Sequence, residues 1–467
     1  MTRNPTLLLA GLALLLGGCS MAPKYTRPTS PIPSSWSGDS KGPTADADAD
    51  VIPNPVADIQ WQEFFPDQKM QEVIQLALTN NRDLRVAALN VEKAQALYRI
   101  QRAELLPTVG VLAVGNRQEL AFDEQLITSE QYSVNLGVAA WELDLFGRNR
   151  SLKDAALERY FATQHARSAA QISLVAAVAN SYLALAADRE NLQLARSTLK
   201  TQEDNYKLIR QSTELGVASA LDLSQARAQV EAARTDVAVF IGLVALDENA
   251  LDLVTGVCVP GEMLPDSLES VQAPKDVPAG VSSGVLLQRP DILMAEDQLK
   301  AMNANIGAAR AAFFPRITLT ASAGTLSTEL SGLFQAGTST WGFGPQITLP
   351  IFTGGANRAN LKAAHVDHEI GVAQYEKSIQ TAFREVKDSL ALRDTLEDQM
   401  KAQQSLVDAV GDSYRLFDLR YKAGIDGYLG VLIAQRSLFS AREQLVNIRL
   451  ARFANRVVLY KVLGGGV

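Results

Sequence analysis

Side chains able to do chemistry are sparse in this 467-residue chain, and their spacing suits little of it. His365 and His368 stand three residues apart, and His165 is the only other histidine. That spacing brings the pair to one face of a helix, where two imidazoles could begin a metal site. No further ligand lies at a spacing that completes a four-ligand set, so a solvated helix face is the favoured reading. Gly342-Phe343-Gly344 lacks the Gly-Lys-Ser/Thr sequence and the following helix that a phosphate-cradling loop requires. The chain therefore reads as a non-enzyme, with no catalytic residues, no metal and no cofactor. Of its two cysteines, Cys258 in "GVCVP" reads as a small buried hydrophobe, whereas Cys19 stands where a covalent modification is expected.

The expectation for Cys19 comes from what precedes it. Arg3, the apolar run "LLLAGLALLLGG" and its small terminal residues make residues 1–18 an export signal. The run is shorter than the roughly 20 residues that span a bilayer. Leu16-Gly17-Gly18-Cys19 resembles the bacterial lipobox, in which the cysteine is lipidated, palmitate included, and becomes the first residue of the mature chain. Each buried acyl methylene contributes about 0.8 kcal/mol, so several chains would hold Cys19 to outer-membrane lipid almost permanently. Ser20, rather than the aspartate that in lipobox proteins usually means inner-membrane retention, points to the outer membrane. A plain secretory signal with an incidental cysteine is the alternative. Residues 19–60, with many prolines and a "DADAD" run, read as a lipidated, extended N-terminal tether.

These residues need a scaffold, and composition bounds it. A hydrophobic fraction of 47% is enough for a substantial core, and a net charge of -7 argues against a nucleic-acid partner. The chain is written twice. Asp83 matches Asp291, Arg102 matches Arg310, Pro107 matches Pro315, Tyr206 matches Tyr414 and Gly216 matches Gly424, every pair 208 positions apart. A tandem duplication follows, with residues 61–255 as the first repeat, 256–283 as a linker in an equatorial belt, and 284–467 as the second repeat. Each repeat runs helix, strand, strand, very long helix, break, helix. Residues 148–215 contain neither Gly nor Pro, and 356–423 contain only Gly371 and Gly411, so each predicts a helix about 100 Å long. The returning pieces, about 220–255 with 284–313 and 429–463 with 68–105, fill two more columns of similar length. Residues 169–187 carry no charge, yet their alanines and scattered polar groups suit helix packing better than bilayer insertion.

Between the helices, period-two alternation marks strands with two different faces. Tyr132, Val134, Leu136 and Val138 oppose Ser133, Asn135 and Gly137, and Trp341, Phe343 and Ile347 oppose Gly342, Gly344 and Gln346. Apolar-out, polar-in alternation suits a transmembrane barrel. Four strands are too few where barrels start at about eight, and open edges have no water to bond in lipid. The chain must therefore oligomerise, and two, three or four copies all remain open on this argument.

Taken together, "ALTNNRDLRVAALNVEKAQA", "ELDLFGRNR", "PIFTGGANR" and "AQRSLFSAREQL" resemble the TolC-like outer-membrane factors, in the lipidated branch that serves tripartite efflux pumps. The resemblance implies a mostly α fold with a membrane β-barrel: a homotrimer closing a twelve-stranded barrel on a twelve-helix periplasmic α-barrel. It implies a passive gated duct for drugs or other small toxic compounds, working with a periplasmic adaptor and an inner-membrane pump. "ELGVASALDL" and "AGIDGYLGVL" become the turns of the periplasmic tip, with Gly216, Val217, Ala218, Gly424 and Ile425 as the adaptor-docking residues. Asp222 and Tyr421 match the family's inter-helix gate. The family's constricting aspartates are replaced by Gly430 and Ile433, so Asp426 is expected to supply the electronegative ring instead. A type I protein-secretion conduit and a structural coiled-coil envelope lipoprotein are the alternatives.

Overall fold

The computed structural model describes residues 20–33, 36, 59–122, 125–276 and 283–466; the export signal and Cys19 lie outside the described residues. Helices α1 (Trp61–Phe64), α2 (Gln68–Asn80) and α3 (Arg82–Ala103) lead into strands β1 (Val109–Phe122) and β2 (Gln125–Glu142). Helix α4 (Arg148–Glu214) then runs to a turn and α5 (Ala220–Thr255). The second half repeats the order as α6 (Pro290–Ala311), β3 (Arg316–Ser327), β4 (Ser339–Thr348), α7 (Ala356–Lys422) and α8 (Tyr428–Val462). The starts of α3 and α6, α4 and α7, and α5 and α8 are each 208 residues apart. Gly371 and Gly411 leave α7 unbroken.

Two departures from the sequence pattern have local causes. The expected helix over 68–105 breaks at Asn81, whose backbone is extended and whose Oδ1 accepts from Leu84 N–H at 2.8 Å, capping α3 as a short polar side chain does at a helix start. Its Nδ2 donates to the Val254 carbonyl at 2.8 Å. The helix expected from 284 begins only at Pro290, after a 3-10 turn over Ser283–Gln288. Buried Arg289 ties this junction together, donating to Asp291, to Glu385 and to the Val462 carbonyl.

The chain divides into two compact units. One, built on Leu89–Gln164 and Leu293–Lys377 with the N-terminal segment up to Thr29, holds an antiparallel sheet in the order β1-β2-β3-β4. Register makes its two faces continuous. Val111, Leu136, Ala323 and Trp341 lie side by side across the four strands, and Gly110, Gly137, Ser322 and Gly342 form the adjoining row on the other face. A bulge between Val138 and Trp141 inserts one residue into β2, so Trp141 pairs with Leu319 and stays on the apolar side. Among the described residues β1 and β4 each pair on one side only, and Val111, Leu136, Trp341, Phe343 and Ile347 are exposed. In the same unit the N-terminal segment is fastened to α6. Arg27 clamps the buried Glu296 at 2.9 and 2.6 Å, Tyr25 donates to it at 3.2 Å, and Asn303 and Arg310 donate to the carbonyls of Pro23 and Met21. Burial works to raise the Glu296 carboxyl, but Arg27, Lys300 and Tyr25 together hold it below its ordinary range.

The other unit comprises Ser30–Ala88, His165–Ile292 and Ser378–Val467. Its core joins the start and the end of the chain: Phe64 stacks on Tyr460 at 4.3 Å, and Phe65 meets the same ring edge-on. The uncharged part of α4 is the one described helical stretch long and apolar enough to cross a membrane. Val178, Ala179, Leu183, Leu185 and Ala186 on it are buried in the protein, as the helix-packing reading expects. Cys258 corrects an expectation, because it is exposed rather than buried. Left-handed Gly256 ends α5, and the Val259 N–H reaches back to Asp252 at 2.8 Å, which leaves the intervening thiol outside.

Candidate functional site

The turns α4–α5 and α7–α8 lie in one unit and share one small core. Ile209, Ala226, Tyr428, Val431 and Leu432 are buried in it, with Tyr206, Ala218, Leu223, Tyr414 and Tyr421 packed around them. Each turn stops its long helix in the same way. Val217 N–H bonds the Ser212 carbonyl and Gly216 N–H the Thr213 carbonyl at 2.8 and 3.0 Å; Ile425 N–H bonds Arg420 and Gly424 N–H bonds Tyr421, both at 2.9 Å. This is the double closure that satisfies the last helix carbonyls, and it requires a left-handed residue. Gly216 at φ 76° and Gly424 at φ 70° supply it without the Cβ penalty.

Such turns commonly tuck the residue after the glycine against the helix. Here that residue points away: Val217 is 82% exposed and Ile425 63%. Leu215, Leu221 and Leu429 are exposed beside them, adding apolar positions that the sequence reading did not name. Ala218, expected on the docking surface, instead packs against the core.

The two turns differ in their polar residues. Ser219 caps α5 reciprocally with Asp222: the Asp222 N–H donates to Ser219 Oγ at 3.1 Å, while Asp222 Oδ2 accepts from Ser219 N–H at 3.1 Å and from its hydroxyl at 2.7 Å. Asp222 therefore holds its own helix start and makes no hydrogen bond to Tyr421. The two still interact, since the Tyr421 phenol is raised above its ordinary value first by burial and then by the Asp222 charge. Tyr421 also lies against Tyr428, ring centroids 5.3 Å apart, and the Tyr428 hydroxyl is sealed without a partner among the described residues. Burial, with Tyr421 and Tyr414 adding, raises the Tyr428 phenol as well.

The second turn has Gly427 at the start of α8, with no side-chain cap. Asp426 is not the bare carboxylate expected of a charged ring. Arg420 donates to it from Nε and Nη2, at 2.5 and 3.0 Å, and the hydrogen bond to that guanidinium keeps its carboxyl below the usual range. Of the residues expected to act here, the structure packs Tyr421 and Ala218 around one core with Asp222 near enough for its charge to act on Tyr421, presents Val217 and Ile425 outward, and neutralises Asp426 locally.

The outer membrane efflux protein profile matches the chain twice, over residues 73–257 and 281–465. A toluene efflux pump outer membrane protein of Pseudomonas putida, TtgC, is 50% identical, with 100% of this chain and 96% of the relative covered. ArpC of Pseudomonas putida, an antibiotic efflux pump outer membrane protein, is 50% identical over the same shares. The open-state outer membrane channel MtrE of Neisseria gonorrhoeae superposes with a TM-score of 0.86 at 40% identity, covering 96% of this chain and 98% of that one. On this match of profile, sequence and fold, the chain belongs to the outer membrane efflux protein family.

Proposed function

We propose that three copies of this chain form a gated, passive duct that carries small toxic compounds, apolar solvents and antibiotics among them, out through the outer membrane. The observation that carries the reading is the four-stranded sheet, with an apolar exposed face and two strands paired on one side only. Backbone groups along an open edge cannot bond in lipid, so sister chains must complete the ring. The named cargoes of TtgC and ArpC, toluene and antibiotics, supply the substrate class. Three copies in a twelve-stranded barrel agree with the family and with the four strands each chain brings.

In this reading the paired turns dock a periplasmic adaptor through Val217 and Ile425, beside Gly216 and Gly424, and an inner-membrane pump supplies the energy. Tyr421 and Asp222 restrain the closed state. Asp426 enters a threefold ring already paired, so the ring presents three Arg420–Asp426 couples rather than three free carboxylates. Lipidation at Cys19 is supported by the path of the chain just after it, since Met21 and Pro23 are fastened to α6 in the unit that holds the sheet. The domain plan, a cleaved signal, a tether, two repeats and a linking belt, belongs to the same proposal.

The test is reconstitution. Purified protein in detergent should have the mass of a trimer and conduct in planar bilayers, and deletion in its host should sensitise cells to solvents and antibiotics only where pump and adaptor are intact. A monomer without a pore under any condition sinks the proposal.

A further inference from the structure

Tyr428 is the first residue of α8, and its ring lies where the two turns meet. The core it enters draws Ile209 from α4, Ala226 from α5, and Val431 and Leu432 from α8 itself. Tyr428 is therefore buried, 3% exposed, in the seam between the α4–α5 pair and the α7–α8 pair, with the Tyr421 ring 5.3 Å away. The position answers to Ala220 in the first repeat, so the ring is particular to the second.

A phenol buried this deeply usually finds an acceptor for its hydroxyl. Here the surrounding cluster is aliphatic and aromatic, and the hydroxyl is sealed from solvent with no hydrogen-bond partner among the described residues. Its own chain does the sealing, so a sister copy docked against the outside does not reach it either. A hydroxyl sealed in this way carries the full penalty of its lost hydration. That penalty lasts only while the seam is shut. Parting the α4–α5 pair from the α7–α8 pair draws Ile209 and Ala226 off Tyr428 and lets water bond the phenol, while the exposed hydrocarbon favours closing again.

We propose that the Tyr428 hydroxyl is a built-in counterweight to the closed tip, destabilising the shut seam and thereby setting how readily the duct opens. The inference rests on the gated-duct reading above. In that reading half-buried Tyr421 restrains the closed state, so the two neighbouring phenols act with opposite sign.

The experiment is Tyr428→Phe in the full-length protein, which deletes the hydroxyl and keeps the ring. In planar bilayers the open fraction should fall about fivefold or more, and the variant in detergent should unfold at a higher temperature than wild type. An equal or greater open fraction overturns the proposal. So does an unchanged or lowered unfolding temperature, the result expected of a hydroxyl that is bonded in the closed state. Tyr421→Phe supplies a second background, in which the closed tip is already loosened. Adding Tyr428→Phe there should restore closure toward wild type, and a double variant as open as Tyr421→Phe alone overturns the proposal. A wild type that never conducts sinks the gated duct and this inference with it, whereas a conducting wild type matched by Tyr428→Phe sinks only the role of this hydroxyl.

Discussion

Replacing Val217 and Ile425 together by serine tests adaptor docking without disturbing the fold. Both side chains lie mainly in solvent, 82% and 63% exposed, so the folded chain loses little apolar burial when they are shortened. Docking is a different matter. Full burial of a Val or Ile side chain contributes about 1.5–3 kcal/mol. Scaled by the exposed fraction, each should contribute about 1–2 kcal/mol at the adaptor interface, or about 2–4 kcal/mol for the pair. At about 1.4 kcal/mol per decade, V217S/I425S should weaken adaptor binding roughly 30- to 700-fold per chain. The assay is surface-immobilised channel titrated with the cognate adaptor, with thermal unfolding of the channel measured in parallel and host resistance to solvents as the cellular readout. Unchanged adaptor affinity alongside unchanged unfolding refutes the docking assignment. Lost affinity with a lowered unfolding temperature refutes the premise that these side chains are idle in the free protein.

Three further outcomes follow from the same geometry. Tyr421→Phe should raise the conductance of the closed channel, and it is the cleaner gate test, because Asp222→Ala also removes the reciprocal half of the capping box at the start of α5; no change in conductance with Tyr421→Phe refutes a gating hydroxyl. Arg420→Gln should leave Asp426 uncompensated and shift the pore toward cations, read as the reversal potential in a salt gradient. Arg27→Ala strips the main clamp from buried Glu296 while Tyr25 and Lys300 remain, and should cost about 1–3 kcal/mol. Because the native Glu296 carboxyl lies below its unfolded value, its contribution is present above the unfolded pKa and is lost as pH falls through the native one. The gap between wild type and Arg27→Ala in chemical denaturation should therefore close in acid.

Long-range repetition made the fold legible. A shared offset, long stretches poor in Gly and Pro, and alternation in the strands are properties of the chain alone, and they locate α4, α7 and both strand faces within a few residues. What stayed hidden depends on partners that sequence spacing does not reveal. Arg420 and Asp426 are six apart across a left-handed turn, a separation that no helical rule pairs. Arg189 and Glu248 meet only because α5 returns along α4. Asn81 was readable in principle, since an Asn before "RDL" is a helix-start signal, but the surrounding helical pattern masked it. The same holds for Ser219 and Asp222, whose three-residue spacing is that of a capping box.

The two turns also show which features of the site are shared and which are individual. Backbone closure and the outward apolar residue recur at the same offset, Val217 answering to Ile425 and Gly216 to Gly424. The polar group does not recur, since the partner position of Asp222 is Gly430, and one core position changes size, Phe417 standing where the first repeat has Ile209. These last two differences are one difference. A Cβ placed on Gly430 would stand 2.8 Å from the Phe417 ring, so the larger aromatic in the second repeat would have to shift before a side chain could stand where the first repeat keeps its capping aspartate. A trimer would thus offer an adaptor six turns of one backbone design, while only the first turn of each chain carries the aspartate that acts on Tyr421. Docking can follow the sixfold repetition of the backbone, whereas any restraint from Asp222 has only threefold symmetry, and an opening motion that separates the α4–α5 pair from the α7–α8 pair is the one that would release it.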